Sequence, residues 1–81
     1  MNTVYILFSN KLNRFYIGQT CHMELRLIEH NSGKGKYTSQ ADDWNIVFLQ
    51  NCNDRKDAVG LEKKIKSRGA KRFLEDKNRL E

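Results

Sequence analysis

An 81-residue chain with 38% hydrophobic residues reads as one domain, 1–81, with a thin core, because a chain of this size buries only roughly 60% of its unfolded surface. The net charge of +5 and a pI of about 9.4 favour a polyanionic partner, although an incidentally basic protein accounts for the charge equally well. No stretch approaches the ~20 apolar residues of a membrane span, no basic start and apolar run mark a secretion signal, and Cys21 and Cys52 make neither a CxxC pair nor, with His22 and His30, a zinc spacing. The simplest setting is a reduced, cytoplasmic one without a membrane partner, and one disulfide stays open.

Thr3 to Phe8 is almost continuously apolar and predicts a strand buried on both faces. After a polar turn over Ser9 to Asn13, Arg14 to Gly18 alternates, with Phe15 and Ile17 facing one way and Arg14 and Tyr16 the other. The gap is too short for a crossover, so the two segments predict an antiparallel hairpin with Tyr5 and Tyr16 on one sheet face. Met23 to Asn31 predicts a helix closed by Ser32-Gly33. Lys34 to Asp43 is a polar loop, and Trp44 to Gln50 predicts a third strand with Trp44, Ile46 and Phe48 on one face. Asp54 can cap a second helix with an apolar stripe of Ala58, Leu61 and Ile65. Ser67-Arg68-Gly69 interrupts it, and Ala70 to Lys77 predicts a last short helix. The order ββαβαα defines a small α+β fold, a three-stranded antiparallel sheet flanked by helices.

Several polar residues stand where chemistry could use them. Tyr5 and Tyr16 carry phenols whose ordinary pKa of ~10 makes them poor bases unless a cation is near; as strand residues they are also ordinary. Gly18, without a side chain, permits close approach of a backbone or ligand. Arg26 and His30, four apart, share one helix face, with a guanidinium fork suited to phosphate and an imidazole that titrates near neutrality. A solvated flank with Arg26 paired to Glu29 is the plainer alternative. Glu62 borders the apolar stripe, where it either pairs with Lys66 or holds a metal. The run from Lys63 to Arg72 is the densest basic stretch, either a nucleic-acid track or a solvated helix face.

The order of these residues resembles the GIY-YIG nuclease family across nearly the whole chain. Thr3-Val4-Tyr5 stands for the first tripeptide, and Tyr16-Ile17-Gly18 matches the second. Met23 to Gly33 is similar to the Arg-bearing helix, while Lys36-Tyr37-Thr38 and Glu62 to Lys66 are similar to segments of small stand-alone bacterial members. That subgroup is similar to the nuclease domain of the bacterial excision-repair incision subunit, a link to DNA repair. The resemblance implies hydrolysis of DNA phosphodiesters with one Mg²⁺ or Mn²⁺. Tyr5 would be the general base or water-orienting group, with Tyr16 as its partner. Arg26 would stabilise phosphate charge, His30 would assist proton transfer or orient Tyr5, and Glu62 would hold the ion. Gly18, Lys36, Lys64, Arg68 and Lys71 would contact nucleic acid, branched or single-stranded DNA among the candidates. Three positions depart from the family pattern: Thr3 replaces the first glycine, Gln19 stands where some relatives have lysine, and Asn78 falls too late for the metal-proximal asparagine of many members. A binding module of the same fold with little or no nuclease activity is the alternative.

Overall fold

The computed structural model describes residues 1–79. Strands β1 (Asn2–Ser9), β2 (Arg14–Thr20) and β3 (Trp44–Cys52) form one antiparallel sheet in the order β2-β1-β3. Helix α1 (Met23–Asn31) follows the hairpin, a 3-10 turn (Thr38–Gln40) lies in the loop before β3, and α2 (Arg55–Arg68) and α3 (Ala70–Arg79) close the chain. The ββαβαα order and the antiparallel sheet are those expected from the sequence.

The run of apolar residues in β1 is explained by its central place. Val4, Tyr5, Ile6 and Leu7 are all buried, two towards each side of the sheet. Val4 and Ile6 meet Ala58, Ile65 and Ala70 of the α2–α3 layer, with Phe15, Ile17, Leu61, Phe73 and Leu74 around them. Tyr5 and Leu7 meet Trp44 and Ala41 on the other side, with Leu12, Tyr16, Met23 and Leu27 around them. The sheet therefore separates an aliphatic core under α2 and α3 from an aromatic layer under α1 and its loop.

The expected single face for Trp44, Ile46 and Phe48 is not what β3 shows. Leu7 pairs with Ile46 while its neighbour Ile6 pairs with Phe48, so Val47 is an extra residue in a bulge. The insertion reverses the alternation. Trp44 consequently joins the aromatic layer, whereas Phe48 packs on the aliphatic core and Ile46 is partly exposed. Strict alternation over the segment could not reveal this extra residue.

The remaining boundaries have local causes. Asp54 accepts from the Asp57 amide at 2.8 Å and starts α2. Gly69, at φ 92°, separates α2 from α3, and Gly33, at φ 84°, follows the end of α1. Asn31 then clamps the chain: its amide oxygen accepts from the Trp44 N–H at 2.8 Å, and its amide nitrogen donates to the Trp44 carbonyl at 3.1 Å. The end of α1 is thereby tied to the first residue of β3.

Candidate active site

The hairpin register brings the two tyrosines together. Tyr5 pairs with Gly18 and Leu7 with Tyr16, which puts Tyr5 and Tyr16 on one face as diagonal neighbours with ring centroids 6.3 Å apart. Gly18 lies directly across from Tyr5. A Cβ at that position would stand 2.6 Å from the Tyr5 hydroxyl oxygen and 2.7 Å from Cζ. The missing side chain thus makes room for the Tyr5 ring, where the sequence suggested the approach of a backbone or a ligand.

Helix α1 lays His30 over the pair. The His30 ring is 4.9 Å from Tyr16 and 5.9 Å from Tyr5, centroid to centroid. Nε2 lies 2.9 Å from the Tyr5 hydroxyl, and Nδ1 lies 2.7 Å from the Thr38 hydroxyl. His30, Tyr5 and Thr38 are all buried. A continuous path of hydrogen bonds therefore runs from the 3-10 turn, through the imidazole, to the phenol of β1. Thr38 is held in turn, because its carbonyl accepts from Trp44 Nε1 at 2.9 Å. Nothing in local spacing joins a loop threonine to a helix histidine, so this role of Thr38 is not visible in the sequence.

Burial and contacts set the charge states. Burial is the main cause that raises the Tyr5 pKa, helped by Tyr16, Glu62 and Glu29 and opposed by Arg26, so the resting ring is a phenol. Burial, then the Arg26 charge, lowers the His30 pKa against the opposing pull of Glu29, so the imidazole is neutral at neutral pH. Arg26 stands outside this buried group. It is half-exposed, and its Nε lies 3.7 Å from Glu29. An exposed pair of this kind contributes about 0–1 kcal/mol and gives way readily to a phosphate. Two shallow depressions open beside Arg26, one lined by Glu29, His30, Lys34 and Gly35 and the other by Gln19, Thr20, His22 and Arg55.

Glu62 lies on the α2 side of the edge strand β2, and its charge acts on Tyr5. Gln19 pairs with Val4, so it points to the α2 side, where its Nε2 donates to Glu62 Oε1 at 3.0 Å. Lys66 Nζ lies 2.6 Å from the other oxygen. The Glu62 side chain keeps 18% exposure, against 56% for Lys66. Among the described residues no three His, Cys, Asp or Glu side chains converge. The donor set therefore fits an ion held by one carboxylate, with the remaining positions left to water and phosphate, and does not fit an all-protein cage.

The basic run separates from this cluster. α2 and α3 cover the aliphatic face, opposite the Tyr5 face. Lys64 and Lys71 are exposed there, while Arg68 makes a two-pronged ion pair with Asp76 at 2.8 and 3.1 Å that lowers the Asp76 pKa. Lys64, Arg68 and Asp76 line one depression with Phe73 and Lys77. Lys36 is exposed on the loop that follows α1. Of the positive residues singled out, Arg26 and Lys36 belong to the tyrosine side, and Lys64, Arg68 and Lys71 belong to the helical side.

The sheet, its paired tyrosines and the helix that carries Arg26 and His30 define a nuclease scaffold. The family model for the GIY-YIG catalytic domain matches residues 1–76, and the chain belongs to that family of nuclease domains. No curated protein and no solved structure matches the sequence.

Proposed function

We propose that the protein is an endonuclease that hydrolyses DNA phosphodiesters with one divalent ion at Glu62. The observation that carries this reading is the convergence of Tyr5, Tyr16 and His30, with Arg26 at the rim, inside a domain of a nuclease family. Arg26 offers a planar fork to the phosphate from a half-exposed position and stabilises the negative charge that grows in the transition state. Tyr5 orients the attacking water, and His30 fixes the phenol. Water adds to phosphorus as the bond to the leaving oxygen breaks. Mg²⁺ or Mn²⁺, when bound, makes a hydroxide or a phenolate accessible near neutral pH and balances charge on the phosphate.

Glu62 fits the ion's ligand because its present partners are weakly held. The Lys66 pair spans one helical turn and its lysine end is exposed; pairs at this spacing contribute only ~0.3–0.5 kcal/mol. The alternative reading, a DNA-binding module with little activity, is favoured by the same fact seen from the other side: both Glu62 oxygens already have partners. Plasmid DNA incubated with Mg²⁺, Mn²⁺ or excess chelator separates the two. The nuclease reading expects nicking that needs the ion and is lost in Glu62→Gln. Salt-sensitive binding without cleavage under any ion supports the binding module. Nicking that persists undiminished in chelator removes Glu62 from the role of ligand.

A further inference from the structure

We propose that Thr38 donates its hydroxyl proton to His30 Nδ1, fixing the Nε2–H tautomer so that His30 donates to the Tyr5 oxygen and leaves the Tyr5 proton for the substrate side. Thr38 is then a positioning residue for the reaction. This assignment rests on the proposed active site and specifies the direction of its hydrogen bonds.

A neutral imidazole has one donor and one acceptor nitrogen. Two arrangements satisfy the 2.9 and 2.7 Å contacts. In the first, Tyr5 donates to Nε2, and Nδ1–H donates to Thr38. The Thr38 proton is then left over, in a residue 1% exposed, with no other acceptor in hydrogen-bond reach among the described residues. In the second, Thr38 donates to Nδ1, and Nε2–H donates to Tyr5. The proton left over is now that of Tyr5. The two leftover protons differ in what can reach them. Thr38 is enclosed by Gly35 on one side and is tied to Trp44 by its carbonyl. Tyr5 is equally buried, at 2% exposure, but the proposed reaction sets its hydroxyl against the attacking water, so on that reading an acceptor arrives at Tyr5 and none arrives at Thr38. Buried polar protons are rarely left unpaired. The two contacts allow both arrangements, and the one that puts the spare proton where an acceptor arrives is the one the proposed reaction favours.

Gly35 makes room for the Thr38–His30 contact itself, whichever partner donates. A Cβ there would lie 2.2 Å from Thr38 Oγ1 and 3.5 Å from His30 Nδ1. Its φ is not in the left-handed region, so the demand is for space and not for backbone freedom. The space it leaves is filled by the hydroxyl and the ring nitrogen. The groups that face His30 are Tyr5 from β1, Tyr16 from β2, Arg26 and Glu29 from α1, Thr38 from the 3-10 turn and Lys34 from the rim. Donation from Nε2–H favours the phenolate over the phenol and offsets part of the penalty of burying Tyr5.

The tautomer is read directly from long-range ¹H–¹⁵N correlations of the imidazole, on the full chain, without DNA or metal. The chain has two histidines, so a His22→Gln variant assigns the His30 signals. The expected result is a protonated Nε2 and an unprotonated Nδ1 at neutral pH. Thr38→Ser should keep that pattern and turn DNA over within about twofold of wild type. Thr38→Val should lose it and lower kcat about tenfold or more with KM little changed, by analogy with the groups that orient a metal-bound imidazole. A wild-type His30 protonated on Nδ1 would overturn the proposal, as would a folded Thr38→Val protein with unchanged tautomer and rate. Should Thr38→Val fail to fold, the wild-type tautomer alone decides. Because no cleavage enters that spectrum, an inactive protein would count against the nuclease reading and leave the hydrogen-bond assignment standing.

Discussion

Gly18→Ala probes whether the glycine of the second tripeptide serves Tyr5 or a bound ligand. The added Cβ would meet the Tyr5 hydroxyl oxygen at 2.6 Å and Cζ at 2.7 Å, whereas ordinary contact begins near 3.4 Å. The Tyr5 ring would have to move by about 0.8 Å, the difference between the ordinary and the present separation. It has little freedom to do so, since it is 2% exposed and packs beside the rings of Tyr16 and His30. A move of that size directed away from His30 would take the 2.9 Å bond beyond hydrogen-bond length. Overpacking of this kind costs about 1–3 kcal/mol. For a domain of this length each kcal/mol lowers Tm by about 4–8 °C. Displacement of a reacting group by about 1 Å can also cost on the order of 10² in rate. The assay is thermal or urea unfolding of wild type and Gly18→Ala, followed by nicking rates at a temperature where both are folded. Stability within about 0.5 kcal/mol of wild type, with an unchanged rate, would refute the steric argument. Unchanged stability with weakened DNA binding would instead assign Gly18 to the approach of the ligand.

Other substitutions test separate parts of the account. Replacing Lys64, Arg68 and Lys71 with glutamine should weaken DNA binding and flatten its salt dependence if the helical face binds phosphates; a slope equal to that of wild type would leave these residues as a solvated surface. Arg68 should contribute least of the three, because Asp76 already holds it. Arg26→Ala should lower turnover by about 10² or more, and a double variant with Tyr5→Phe should be far less impaired than the product of the two losses. Protonation of His30 should destabilise the fold. Its pKa is lowered from 6.5, so the unfolded chain binds the proton more readily, and the stability contributed by the neutral ring is present above pH ~6.5 and is lost as pH falls through the folded pKa. Urea unfolding followed from pH 8 to pH 5 should show that loss, and His30→Gln should remove most of it.

Much of the fold could be read because its signals are local. The apolar run of β1 announced a central strand, the Asp54 cap and the glycines at 33 and 69 announced helix ends, and the short gap announced a hairpin, whose register, set by the pairing of the folded strands, puts Tyr5 and Tyr16 on one face. What escaped depends on contacts distant in sequence. The bulge at Val47 arises from how β3 fits β1, and alternation within β3 alone cannot register it. Thr38 belongs to the site because the loop after α1 folds back beneath Trp44 and His30. Gly35 could have been noticed as a glycine between lysines, but its spatial requirement appears only once the Thr38 hydroxyl is placed. The basic run was visible as charge; its place opposite the tyrosine face follows from which stripe of α2 is buried.

The central claim is that the buried phenol of Tyr5 takes part in phosphodiester hydrolysis. Tyr5→Phe keeps the ring in the sheet and removes the one atom bonded to His30 Nε2. Its rate of plasmid nicking, measured with Mg²⁺ alongside wild type after both are shown to be folded and to bind DNA equally, is the most direct test. The account predicts a loss of about 10² or more, the scale of an acid–base or water-orienting group. A folded, DNA-binding Tyr5→Phe protein that nicks at the wild-type rate would contradict it and leave Tyr5 as a core aromatic of β1.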